Sequence, residues 1–169
     1  MNRLRRQVCL LVMSALSSVA FAQSQAPSAV RIGGNVAQPL TITVEDLRKL
    51  PEQRVDDARS ERTGGDRRQY VGVLLRDVLD RARLTERQPR GLRRSIAVVT
   101  AKDGYRTVFS WAELYLSPIG DGVLLVYQRD GEPLGEGEGP IALVSLKDTS
   151  PGPRHVKWLQ SIDIRSIDE

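Results

Sequence analysis

Two stretches of this sequence hold the side chains with the most to offer chemically. The first carries Asp103, Tyr105, Trp111 and Glu113; the second carries Asp148, Arg154, His155 and Lys157. Their types offer carboxylates that accept hydrogen bonds, rings that stack and cations that hold an anion. A carboxylate from Asp103, Glu113 or Asp148 can accept two N–H groups from one ring edge, a charge-assisted contact. Tyr105 and Trp111 can serve as stacking plates. Arg154-His155-Val156-Lys157 is a basic cluster, and a lysine is a competent point-charge partner for phosphate. Alternation on an extended segment would set His155 and Lys157 on one face, with Val156 and Trp158 on the other. Each residue also has a plain structural use. Asp103 can form a turn, Glu113 can start a helix and Asp148 can be a loop acid. Tyr105 and Trp111 can pack in a core, and residues 154–157 can be a solvated strand end.

Other chemistries find fewer residues. The chain has one histidine, so a multi-histidine metal site is excluded. There is no Gly-x-Ser-x-Gly elbow for a nucleophilic serine. Gly135-Glu136-Gly137-Glu138-Gly139 would repel phosphate and lacks a following Lys-Ser/Thr, so it reads as a flexible rim loop, usable as a lid or a partner contact. The one cysteine is Cys9, within an N-terminal segment that has the form of a secretory signal. Arg3, Arg5 and Arg6 precede an uncharged apolar run from Val8 to Ala22, ending in the small-x-small site Ala20-Phe21-Ala22. Arg5-Arg6 makes a weak match to a twin-arginine signal, and the general secretory route is the simpler reading.

Residues 1–22 are therefore expected to be removed, residues 23–29 to form a flexible leader, and 30–169 to be one domain exported to a bacterial periplasm. Cleavage would take three arginines from a chain of formal net charge +4, leaving about +1. A nucleic-acid partner, which needs a basic face, gains no support. No second apolar run suggests a membrane span after cleavage. A disulfide scaffold is excluded by the cysteine count, so stability must come from burial of aliphatic side chains.

The elements that would position these residues are short. Val30–Ile32 and Leu40–Val44 alternate as a strand pair. Thr43 can cap a helix from Val44 that Pro51 ends. Val55–Gln69 is charged and irregular, a solvated loop or an exposed edge strand. Leu75, Val78, Leu79 and Ala82 recur at helical spacing, and Glu86–Arg94 reads as a loop. Ser95–Thr100 and Arg106–Phe109 are strands joined by the Asp103-Gly104 turn. Ser110 can cap a short helix to Leu116. Gly122–Tyr127 and Ile141–Leu146 are apolar strands. His155–Ile164 ends the fold as a strand, or a short helix leading to one. Many short strands, three short helices and no repeating βαβ unit predict an α+β fold with a mixed or barrel-like sheet.

The order of several motifs carries more than any one of them. Asp46-Leu47 and Leu50-Pro51 precede Tyr70-x-Gly-Val-x-Leu-x-Asp-Val-Leu. Asp103-Gly104-Tyr105, Asp130-Gly131-x-Pro-Leu, Gly139-Pro140-Ile141-x-Leu-Val, Asp148 and Val156-Lys157-Trp158-Leu follow. From Val30 to Ile164 the chain resembles the molybdopterin-binding domain of the sulfite-oxidase-fold oxidoreductases, the small stand-alone exported members in particular. The resemblance implies a pterin or molybdopterin-type ligand in a pocket walled by loops, with Arg154–Lys157 toward its phosphate. It also implies a metal-binding cysteine before the Tyr-x-Gly-Val helix, yet Arg62–Gln69 has none. Where the enzymes often carry an arginine after Gly-Pro, Ala142 stands here. Cysteine-free relatives resemble pterin-binding sensory proteins that contact a membrane receptor controlling cyclic-di-GMP turnover. The expectation is a non-catalytic periplasmic pterin-binding module relaying ligand state to an inner-membrane sensor, without cysteine-bound molybdenum. A molybdopterin-dependent oxidoreductase and a structural envelope protein with a vestigial pocket are the alternatives.

Overall fold

The structure, a computed structural model, describes residues 29–57, 59, 66–85 and 89–167. The expected signal and nearly all of the leader lie outside the described residues, as does most of the cysteine-free segment before β4.

Ten strands, four short α-helices and one 3-10 helix (Pro118–Gly122) are described, and the strands form two five-stranded sheets. β1 (Val30–Gly34), β2 (Leu40–Ile42), β5 (Ser95–Ala101), β6 (Arg106–Ser110) and β10 (Leu159–Ser166) form the first, in the order β2-β1-β10-β5-β6. β1 lies parallel to β10, Arg31 opposite Ser161, and the other pairs are antiparallel. The second sheet runs β3 (Glu52–Asp57), β4 (Arg68–Leu74), β7 (Val123–Arg129) and β8 (Glu132–Pro133), with β9 (Ala142–Ser145) also on β7. This is the α+β architecture the pattern predicted.

Burial follows from composition. β5 alternates, with Ala97, Val99 and Ala101 buried. β7 is apolar on both faces, and Val123 to Tyr127 are all buried. One core cluster joins β1, β4, β5, β7 and β10 to α2 (Leu75–Ala82), whose Leu75, Val78, Leu79 and Ala82 face inward as their spacing required. A second cluster lies on the other face of β4, β7 and β9, around Tyr70, Leu124 and Val126. Gly72 of the Tyr-x-Gly-Val motif sits at a β-bulge, where a Cβ would stand 2.3 Å from the Leu125 carbonyl oxygen, so only glycine fits.

Two capping boxes appear where expected. Thr43 and Asp46 cap α1 (Val44–Leu47), and Ser110 and Glu113 cap α4 (Trp111–Tyr115). The charged stretch resolves in part into edge strand β3, where Glu52, Arg54 and Asp56 are exposed and Asp57 is buried. Within Glu86–Arg94, read as a loop, α3 (Pro89–Leu92) makes one short turn. The final segment turns first and becomes a strand only at Leu159.

Candidate functional site

A cleft opens at the end of β5 and β10. It has a volume of about 490 Å³ and is lined by Lys102, Asp103, Gly137, Lys157 and Trp158. A second opening of about 370 Å³ shares Asp103 and Lys157 and adds Tyr105, Gly152, Pro153 and His155. Three segments build this region: the β5–β6 turn, the glycine-rich loop, and the stretch that enters β10.

The turn is fixed by local hydrogen bonds. Gly104, at φ +89°, donates its N–H to the Ala101 carbonyl at 3.0 Å, and the Tyr105 N–H donates to Asp103 Oδ1 at 2.9 Å. The Tyr105 hydroxyl donates to the Pro153 carbonyl at 2.5 Å and ties the turn to the last segment. The Lys102 N–H donates to the Trp158 carbonyl at 2.9 Å.

Trp158 overturns the expected alternation. Its φ is +47°, a left-handed conformation unfavourable for a bulky side chain. That twist brings the indole into the cleft beside Lys157, while Val156 stays buried. The residue is 38 % exposed, with Lys102 Nζ at 5.2 Å from the ring centroid. Its backbone N–H donates to the Glu138 carbonyl at 2.8 Å.

Glu138 belongs to the loop read as a flexible rim, yet it is buried. Its carboxylate accepts from Arg129 Nη1 at 2.5 Å and lies 3.1 Å from His155 Nε2. The His155 hydrogen bond, followed by the charges of His155, Arg129 and Lys157, holds its carboxyl below the usual range against the effect of burial. His155 also meets Tyr70 edge-on at 6.3 Å.

The structure therefore gathers Asp103, Tyr105, His155 and Lys157 in one place. Arg154, Asp148 and Glu113 form a separate ionic cluster. Arg154 Nε donates to Asp148 Oδ2 at 2.8 Å, a second guanidinium nitrogen reaches Asp148 Oδ1, and Nη1 donates to Glu113 Oε1 at 2.9 Å. Arg154 also lies 4.6 Å over the Phe109 ring. Burial raises the Glu113 and Asp148 carboxyls, but Arg154, together with Ser110 for Glu113, outweighs it and lowers both. Arg154 bridges the two carboxylates, leaving the trio one negative charge in excess, and anchors the segment that carries His155. Trp111 stacks on Tyr115, centroids 5.2 Å apart and planes at 17°, and lines neither opening.

The residues missed by sequence reasoning are Trp158, Glu138 and Lys102. Lys102 precedes the Asp-Gly turn and was readable as a flanking cation. Alternate glycines around Glu138 hid a buried residue, because glycine spacing does not report burial. Nothing in the local sequence announces the backbone twist at Trp158.

The model of the oxidoreductase molybdopterin-binding domain family matches residues 22–169, and the chain belongs to that family. Sulfane dehydrogenase SoxCD from Paracoccus pantotrophus has a similar fold. The TM-score is 0.61 at 23 % identity, over 83 % of this chain and 39 % of that one, so this chain spans well under half of its length. The fold is sulfite-oxidase-like. Among curated proteins none matches.

The cleft suits a pterin: it offers an exposed indole, two lysines, one carboxylate, and a glycine-lined wall with no side chain at Gly137. The described residues hold no group of three His, Cys, Asp or Glu suited to a metal ion, and Cys9 lies outside them. A protein thiolate for a metal is therefore not offered by the described site.

Proposed function

We propose that this chain holds a molybdopterin-type pterin in the cleft between the β5–β6 turn, the glycine-rich loop and the segment entering β10. The observation that carries the reading is the Trp158 indole, exposed in the cleft on a left-handed backbone with two lysines beside it. In this reading the fused ring lies against the indole, Asp103 accepts from the amino-pyrimidine edge, and Lys102 and Lys157 hold the phosphate. His155, held by Glu138, lines the adjoining opening. When bound, the cofactor supplies redox chemistry centred on its metal.

The comparisons favour oxidoreductase use over the non-catalytic relay expected from the sequence. The family is described as oxidoreductase, and the similar fold comes from a dehydrogenase. The relay reading keeps one specific support, the position of the single cysteine, Cys9, in the signal-like segment. It carries with it periplasmic export and an inner-membrane sensor as partner.

Metal analysis and pterin fluorescence on protein purified from its native host test both readings. One molybdenum per chain together with pterin supports the oxidoreductase. Pterin without metal supports the relay. Absence of pterin from wild-type protein, or equal pterin content in Trp158→Ala and wild-type protein, rejects the assigned cleft.

A further inference from the structure

The end of the first sheet away from the cleft is an arginine surface. β10 pairs with β5 from Leu159↔Ala101, beside the cleft, to Ser166↔Ser95. The two ends are roughly 20 Å apart at about 3.4 Å per strand residue. Between residues 81 and 94 the sequence holds six arginines, no lysine and one glutamate.

Backbone contacts bring four exposed arginines to this end. Arg81 lies in the last turn of α2, and Arg93 stands two residues before β5. Arg165 sits opposite Ile96, and the Ile167 N–H donates to the Arg94 carbonyl at 2.9 Å. Arg83 joins them through residues 35–37: Ala37 donates to the Arg83 carbonyl at 2.6 Å, and Asn35 donates to the Ile164 carbonyl at 2.8 Å. Arg83 is held at φ +52°, a conformation non-glycine residues seldom adopt. Elsewhere Arg31, Arg54, Arg59, Arg67, Arg76, Arg129 and Arg154 each pair with a carboxylate, while Arg48, Arg68 and Arg106 pair with none among the described residues but stand on separate segments. Among the described residues Arg81, Arg83, Arg93 and Arg165 pair with none.

We propose that this surface docks a protein partner through an acidic face. Arginine's planar fork matches carboxylates in pairs and is enriched at protein interfaces. A bilayer would need apolar anchorage beside the charge, and Ile167 is the one exposed large apolar side chain described at this end. The surface is distinct from the pterin cleft and does not depend on what the cleft holds. It leaves the cleft open while a partner is bound.

The test uses the full chain, with immobilised poly-L-glutamate as an acidic polypeptide and phosphatidylglycerol vesicles as the lipid arm. Wild-type protein is expected to bind poly-L-glutamate at low salt and to weaken steadily as salt rises. Charge reversal at Arg83, Arg93 and Arg165 together is expected to cost about tenfold or more, whereas reversal at Arg48, Arg54 and Arg106 costs little. Circular dichroism confirms folding, and Arg93→Gln alone gives a milder variant expected to lose about threefold or less. Equal losses for the two triple variants overturn the proposal. So does vesicle binding that exceeds polyglutamate binding and requires the same three arginines, an outcome that assigns a lipid surface instead.

Discussion

Gly139 and Trp158 are mutually exclusive as side-chain-bearing positions: a Cβ at residue 139 would lie 2.7 Å from Trp158 Cδ2. Gly139 also has φ +78°. Gly139→Ala therefore combines a clash with a strained backbone. A loss of about 1–3 kcal/mol in unfolding free energy is expected by urea titration. Displacement of the indole should also appear as a shifted tryptophan emission, and unchanged emission would show that the ring does not rest on this glycine.

Trp111→Ala is expected to act on stability alone. The ring covers Tyr115, whose hydroxyl donates to Asp80 at 2.7 Å. Removing a stacked, half-buried aromatic should cost about 1–3 kcal/mol. The pterin content of the purified variant should match wild type. A selective loss of pterin would return Trp111 to the binding site.

Arg154→Ala leaves Asp148 and Glu113 facing each other without their shared cation. Both pairs are partly exposed, so the cost falls below that of a fully buried pair, about 1–3 kcal/mol. Proteolysis should then cut first within residues 149–153, because the segment loses its anchor. Cleavage there at the wild-type rate would show that Arg154 does not hold it.

Acid should unfold the protein through its paired carboxylates. Glu138, Glu113 and Asp148 all have lowered folded pKa values. A lowered value stabilises fully above the unfolded pKa and ceases to do so as pH falls through the folded one. Tm should hold steady down to about pH 5 and drop steeply below about 4. Glu138→Gln should lie lower at neutral pH and fall less in acid. A parallel Tm curve for the variant would remove Glu138 from the acid transition.

Much of the frame was legible because it depends on local rules. A β-branched run located β5, helical spacing located α2, and the Thr43 and Ser110 capping boxes marked helix starts. The Asp103-Gly104 turn was legible for the same reason. The site was read only in part. Asp103, Tyr105, His155 and Lys157 do meet, but the period-two rule failed at Trp158, where one left-handed residue reverses the face. Glu113 and Asp148 were candidates for the ring edge because sequence does not show their common partner, Arg154, which reaches Glu113 across 41 residues. Trp111 looked like a stacking plate because it follows closely on the Asp103-Gly104 turn, whereas in the fold it stacks on Tyr115 instead.

The parallel union of β1 with β10 makes the first strand wait for the last. Arg31 and Asp163, joined across that seam, are 132 residues apart. β10 occupies the centre of its sheet, so a nascent chain lacking it has two separated ribbons and no continuous layer. Assembly then depends on contacts between distant segments and is slow to nucleate. Truncation before Leu159 should yield an aggregation-prone polypeptide rather than a smaller working domain.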